Sequence, residues 1–321
     1  MTTKKQSSES YFASRYLKTL RKNISQSLQL CPNKFENIVK ISHSMTELTQ
    51  GFWFNYFQLL DDNIQDVQID ESLRPKILEA ISYSDPIHLG LPAVSNEINN
   101  FVKELFSSTY TGAARTLRTV LETAVLTTVL CIDPNRLTAK DILGGLLSGK
   151  LSEKQIRMKA PGPALIELLL ARKKFHTLVK KLGTRFNKNF KYEINQLYLQ
   201  LSSFAHFTID TYGETIRKFK DRQIISESII EQLYSQYLSV IDFTFLLFMQ
   251  AETYYLGYED ANGRLDNYRL ISKIGKYIPG GNIILVIDAI KEKESATRNI
   301  EYFKHSYPVI KDFMKTLKRN K

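Results

Sequence analysis

Two segments place ionisable side chains inside otherwise apolar stretches. In Thr111–Glu122 the residues Arg115, Arg118 and Glu122 stand three, four and seven apart, which on a helix puts them on one face. Two guanidinium groups with a carboxylate to orient them can grip a phosphate or a carboxylate. The same three can instead form an ion-pair network that fixes how the helix packs. The second segment is Leu201-Ser-Ser-Phe-Ala-His206, where Tyr198, Ser202, His206 and Asp210 follow one another at four-residue steps. Asp210 can orient the His206 imidazole and raise its basicity, and Ser202 can bond its other side. His206 is therefore a candidate acid–base group, with Arg115, Arg118, Glu122, Ser202 and Asp210 as candidate ligand-binding groups. A satisfied histidine at a helix–helix contact is the structural alternative. A serine-hydrolase triad is not expected, because no Gly-x-Ser-x-Gly turn or glycine-rich oxyanion segment lies nearby.

Other chemistries find less support. Cys31 and Cys131 sit in no Cys-x-x-Cys and make no cluster with histidines, so no metal site is expected. Gly144-Gly-Leu-Leu-Ser-Gly149-Lys150 starts like a phosphate-binding loop, but Leu151 stands where a Ser or Thr would hold magnesium. Such a loop must follow a strand and open a helix, whereas Thr138 and Ser152 both look like helix caps. No cofactor is expected.

The elements that carry these residues are helical. Apolar residues recur at three and four, and period-two alternation is nearly absent, so the fold class is all-α: a multi-helix bundle forming one large body. Helices are expected over Tyr11–Gln29, Phe35–Leu60, Leu73–Ser82, Ser95–Ile132 (as one or two), Ala164–Leu182, Tyr192–Lys220, Ser226–Tyr255 and Ser295–Leu317. Asp61–Asp70 reads as a loop, and Asp85-Pro86 to Leu91-Pro92 as a break. Ser95 reads as an N-cap. Tyr277–Asn282 reads as a turn and Ile283–Ile290 as a short apolar run. The run from Thr123 to Ile132 has no charge, which marks a buried helix and places Arg115, Arg118 and Glu122 at or near the interior. The chain divides into a basic N-terminal segment (1–30), a helical core (31–260, with a sub-boundary near 161) and a basic C-terminal extension (261–321).

The chain has 321 residues with Lys+Arg 44 against Asp+Glu 33, a net charge of +11. That surplus favours an acidic partner: RNA, DNA or an anionic membrane surface. Arg15, Lys18, Arg21 and Lys22 interleave with Tyr11, Phe12 and Tyr16, and Lys311, Lys315, Lys318, Arg319 and Lys321 lie near Tyr302, Tyr307 and Phe313. Such mixtures suit single-stranded nucleic acid, where bases stack and phosphates pair. They equally suit a solvated basic face. Arg172, Lys173, Lys174, Lys180 and Lys181 give one helix a basic side. The most apolar stretch, Phe243–Met249, is too short for a membrane span. Two cysteines and the lack of an apolar core behind Met1–Ser8 point to a cytoplasmic protein.

The Gly-small-Arg-x-x-Arg-x-x-x-Glu helix and the downstream Leu-Ser-x-Phe-x-His resemble a group of microbial helical proteins related to the HEPN superfamily. The resemblance covers about Phe101–Tyr258. It implies a helical bundle, frequent dimerisation, and an RNA-related role in defence or toxin–antitoxin systems. Ribonucleases of that superfamily carry Arg, four to six residues, then His, and need no metal. His206 has no Arg at that spacing, and Arg172 and His176 are too close. Arg298-Asn-Ile-Glu-Tyr-Phe-Lys-His305 does match, which makes Arg298 and His305 a catalytic pair that the resemblance implies. The expectation is thus an RNA-binding helical protein, possible homodimer and possible metal-independent ribonuclease. The alternative is a non-enzymatic helical scaffold that docks a protein partner.

Overall fold

The computed structural model describes residues 31–65, 86–107, 109–132, 175–182, 188–205, 227–251 and 266–284, with 186, 287 and scattered positions between 14 and 30. The helices are α1 (Pro32–Gln65), α2 (Pro86–Phe106), α3 (Tyr110–Cys131), α4 (Phe175–Lys181), α5 (Lys188–Ala205), α6 (Glu227–Ala251) and α7 (Asp266–Gly275). No strand occurs among the described residues, and the chain is an all-α bundle.

α3 is the centre. It packs against α2, α4, α5 and α6, while α1 covers α2 on one side and meets α7 on the other. The composition of α3 explains this position. Ala113, Ala114, Leu117, Val120, Leu121, Ala124 and Val125 are fully buried, and Thr123, Leu126, Thr127 and Val129 are buried on its other sides, so the second half of the helix finds a neighbour all round. Three of its buried threonines need no partner outside the helix. Thr123, Thr127 and Thr128 donate their hydroxyls to the carbonyls of Thr119, Thr123 and Ala124 in the preceding turn, each at 2.8 Å, which satisfies a buried polar group locally.

Neighbouring helices meet α3 through stripes at helical spacing: Leu91, Val94, Ile98, Phe101 and Leu105 on α2, and Ile194, Leu197, Leu201 and Phe204 on α5. Phe101 stacks on Tyr237 of α6, ring centroids 4.9 Å apart. α1 and α2 add a polar seam, in which Ser42 donates to Asn99 (2.5 Å) and Asn99 to Thr46 (3.1 Å).

Three local expectations fail. Pro86–Pro92 is no break: Pro86 opens α2 and Pro92 lies inside it. A proline in the first turn loses nothing, and one further in costs about 3 kcal/mol. Burial of Leu91, Val94 and Ile98, at roughly 1.5–3 kcal/mol each, outweighs it. Ser95 is consequently a buried residue inside α2 and caps nothing. Residues 61–65 continue α1 instead of forming a loop.

The expected turn after α7 is present, and a buried acid holds it. Asp242 of α6, 7% exposed, accepts from the Asn282 amide (2.9 Å), the Asn282 side chain (2.8 Å) and the Ile283 amide (2.7 Å). Gly280 takes φ +78°, a backbone region that favours glycine. A Cβ on Gly281 would stand 2.6 Å from Asp242 Oδ1, so only glycine lets the turn come this close.

Candidate functional site

The ionisable residues of α3 meet α5 and α4 around one tyrosine. On α5, Asn195, Tyr198 and Ser202 flank the buried stripe, which turns them towards α3 and α4. Arg118 Nε donates to Glu122 Oε1 at 3.0 Å, one turn along α3. The phenol of Tyr198 donates to the same oxygen at 3.0 Å. The Arg118 guanidinium also lies over the Tyr198 ring, 5.2 Å from its centroid, a favourable cation–π placement. Side chains of Arg118 and Glu122 are 17% and 22% exposed, so the pair is partly shielded from water.

Tyr198 continues the cluster to α4. Phe175 stacks on its ring at 3.9 Å with planes 6° apart, and His176 meets it edge-on at 5.7 Å. The exposed His176 ring is anchored through Nδ1, 2.6 Å from Asn195 Oδ1. Asn195 in turn donates to the Lys191 carbonyl at 2.8 Å. Burial raises the Tyr198 phenol above its ordinary value, and the Glu122 carboxylate raises it further, against the opposing pull of Arg118. The phenol therefore stays a donor at neutral pH. Ser202 Oγ is closed off from solvent and makes no well-formed hydrogen bond, although it stands near enough to favour the phenolate of Tyr198 electrostatically.

Arg115 does not share this cluster. It is exposed, and its Nε donates to the Ala205 carbonyl of α5 at 3.3 Å. The structure thus brings Arg118, Glu122 and Ser202 together around Tyr198 and sends Arg115 to the surface, where an interior position was expected. α3 is buried along most of its length, but Arg115, near its start, is exposed. His206, Asp210, Arg298 and His305 lie outside the described residues.

A second acid meets α3 at its start. Glu104 of α2 accepts from the Thr116 hydroxyl at 2.8 Å. A Cβ on Gly112 would stand 3.0 Å from that carboxylate, so the glycine of the Gly-small-Arg pattern lets an acid approach the N-terminal end of a helix, where negative charge is favoured. Among the described residues no group of three His, Cys, Asp or Glu side chains converges as a metal site would require. No helix of the described residues is long and apolar enough to cross a membrane.

Sequence reasoning missed Tyr198 as the hub, and with it Phe175, His176 and Asn195. Tyr198 carried a signal, since it stands at the four-residue step before Ser202. His176 carried none beyond its type. Chemically, the cluster is a closed set of charges: one carboxylate oxygen receives both a guanidinium and a phenol. It can hold α3, α4 and α5 in register, and it offers no vacant pair of arginines for an anion. No family model, curated protein or solved structure matches this chain.

Proposed function

We propose that the protein binds nucleic acid, RNA before DNA, through its helical surface, and that the Arg118–Glu122–Tyr198 cluster supports the fold that presents this surface. One observation carries the reading. The net charge is +11, and among the described residues the inner guanidinium of Arg118 is paired while several cations stand exposed. Lys18, Arg21, Lys22, Lys180, Lys181 and Lys188 are exposed. None of them has an ion-pair partner among the described residues, in contrast to Lys34 with Glu231, Lys40 with Glu36 and Arg118 with Glu122. Unpaired surface cations release counterions when they meet phosphates, which drives binding.

Metal-independent cleavage in a defence or toxin–antitoxin setting, with a possible homodimer, is the enzymatic extension of this proposal. It rests on the HEPN resemblance and on His206, Arg298 and His305. A non-enzymatic scaffold is the second reading, and the closed charge set around Tyr198 favours it for that cluster.

The test is a gel assay with labelled single-stranded RNA in EDTA at low and moderate salt. Cleavage without metal supports the enzyme. A shift without cleavage that fades as salt rises supports a binder. Neither shift nor cleavage would sink the nucleic-acid reading and leave the scaffold.

A further inference from the structure

The strongest concentration of like charge is not at the chain ends. From Leu168 to Tyr192 the sequence contains no Asp or Glu, and eight of its residues are Lys or Arg. The described part of this run is a hairpin of two packed helices, α4 and α5, joined through residues 182–187. Phe175, Leu178 and Val179 of the first helix, Leu182 just after it, and Phe190, Ile194 and Leu197 of the second are buried. The apolar sides of the described helices are therefore spent on the core, and Lys180, Lys181 and Lys188 are left to solvent. Lys180 and Lys181 close α4, Lys188 opens α5, and all three are exposed.

One aromatic stands out beside them. Tyr192 is 65% exposed, the most open of the exposed large hydrophobic residues described. It lies four residues after Lys188 and so shares its helix face. Leu199, 47% exposed, falls on the same face one heptad on. An aromatic ring that is mostly open to solvent, on the same helix face as a lysine that pairs with nothing among the described residues, matches what a nucleic-acid strand requires. Phosphates are met by ammonium groups, and an unstacked base lies on the ring. Duplex would engage the lysines but offer no free base face to Tyr192. A protein partner has less to recommend it, because the face pairs its apolar spots with uncompensated positive charge. Glu193 beside Tyr192 is an exposed acid at the edge of this face.

We propose that the α4–α5 hairpin is a docking surface for single-stranded nucleic acid, with Lys180, Lys181 and Lys188 on phosphates and a base stacked on Tyr192. The inference rests on the nucleic-acid reading above and gives it a place and a strand preference.

The experiment compares the full chain with three variants: K180Q/K181Q/K188Q, Y192A, and R269Q/K273Q/K276Q. The last removes the same charge from exposed positions around α7. Binding of a labelled single-stranded oligouridine and of an RNA duplex is followed by fluorescence anisotropy across a salt series, and circular dichroism checks that each variant is folded. The hairpin triple variant should lose at least tenfold in single-strand affinity and lower the salt slope by about 2, since each phosphate contact on a single strand contributes about 0.7. Y192A should weaken the single strand about tenfold and leave the duplex unchanged. The α7 variant should lose less than either. Equal losses in the hairpin and α7 variants would reduce the effect to net charge and overturn the placement. A weakened triple variant with Y192A unchanged overturns the single-strand assignment. If the parent protein binds and every variant binds as well, the hairpin is wrong and the nucleic-acid reading stands. If the parent does not bind, both fall.

Discussion

Glu122 and Asp242 are both acids set into the bundle, and the molecule deals with their charge in opposite ways. Glu122 is answered by side chains, the guanidinium of Arg118 and the phenol of Tyr198, and a fifth of it still sees water. Asp242 is nearly sealed, and no cation meets it among the described residues. Two of its three donors are backbone amides of one turn. Side-chain donors can follow a carboxylate that moves or is replaced. Backbone amides cannot, so Asp242 dictates where the chain after α7 must run, whereas Glu122 adjusts to three helices already placed by their apolar stripes.

The comparison breaks most readily at Asp242. Asp242→Ala leaves three donors without their acceptor and should cost about 3–5 kcal/mol in urea unfolding. A loss below about 1 kcal/mol would mean that Ile278 and Ile283 hold the turn alone. Next comes Gly281→Ala, whose new methyl meets Asp242 Oδ1 and Ile278 at 2.6 Å. About 1–3 kcal/mol should be lost, and the loss should shrink in an Asp242→Ala background, because the two share one contact.

Glu122 should prove softer. Glu122→Gln and Tyr198→Phe should each cost about 1 kcal/mol, with a coupling of about 0.5–1.5 kcal/mol in a double-mutant cycle. Purely additive losses would show that the 3.0 Å bond between them contributes nothing.

The same contrast predicts a pH effect on one side only. Tyr198 and the wholly buried Tyr237 both have raised phenols, in each case chiefly through burial. A group whose folded value lies above its unfolded one contributes stability in full below the unfolded value, near 10, and loses it as pH climbs through the folded value. Stability should therefore fall above about pH 10, less steeply in Tyr198→Phe. An unaltered slope in that variant would assign the alkaline loss to Tyr237 and other groups. The smallest effect belongs to Arg115→Ala. An exposed side chain with one long hydrogen bond should cost under about 0.5 kcal/mol, and a larger loss would show that its contact with Ala205 helps seat α5.

The helices themselves were legible in the sequence wherever apolar spacing did the work. Ile194, Leu197, Leu201 and Phe204 announce the buried side of α5, and the uncharged run after Glu122 announces a central helix. Features set by another part of the chain were not legible. Pro92 sits inside α2 because tertiary burial overrides a local penalty. Arg115 is exposed although it shares a helix face with the partly shielded Arg118. The partners of Asp242 lie forty residues on, and nothing near Asp242 signals them. Tyr198 became a hub only when three helices met. The glycines and the proline of Tyr277–Asn282 did mark the turn, since a left-handed backbone leaves a local trace in residue type.

The central position of α3 also orders events during synthesis. Its contact with α2 is made across a three-residue connection, and α2 and α3 form a complete hairpin once residue 132 has emerged. α6, which covers another side, begins at Glu227. At roughly 5–20 residues per second, the ribosome delivers it about 5–20 s later. During that interval the side of α3 that α6 will cover waits without its partner. The helix at the centre of the finished bundle is thus, for some seconds of its life, an apolar surface still waiting for part of its cover.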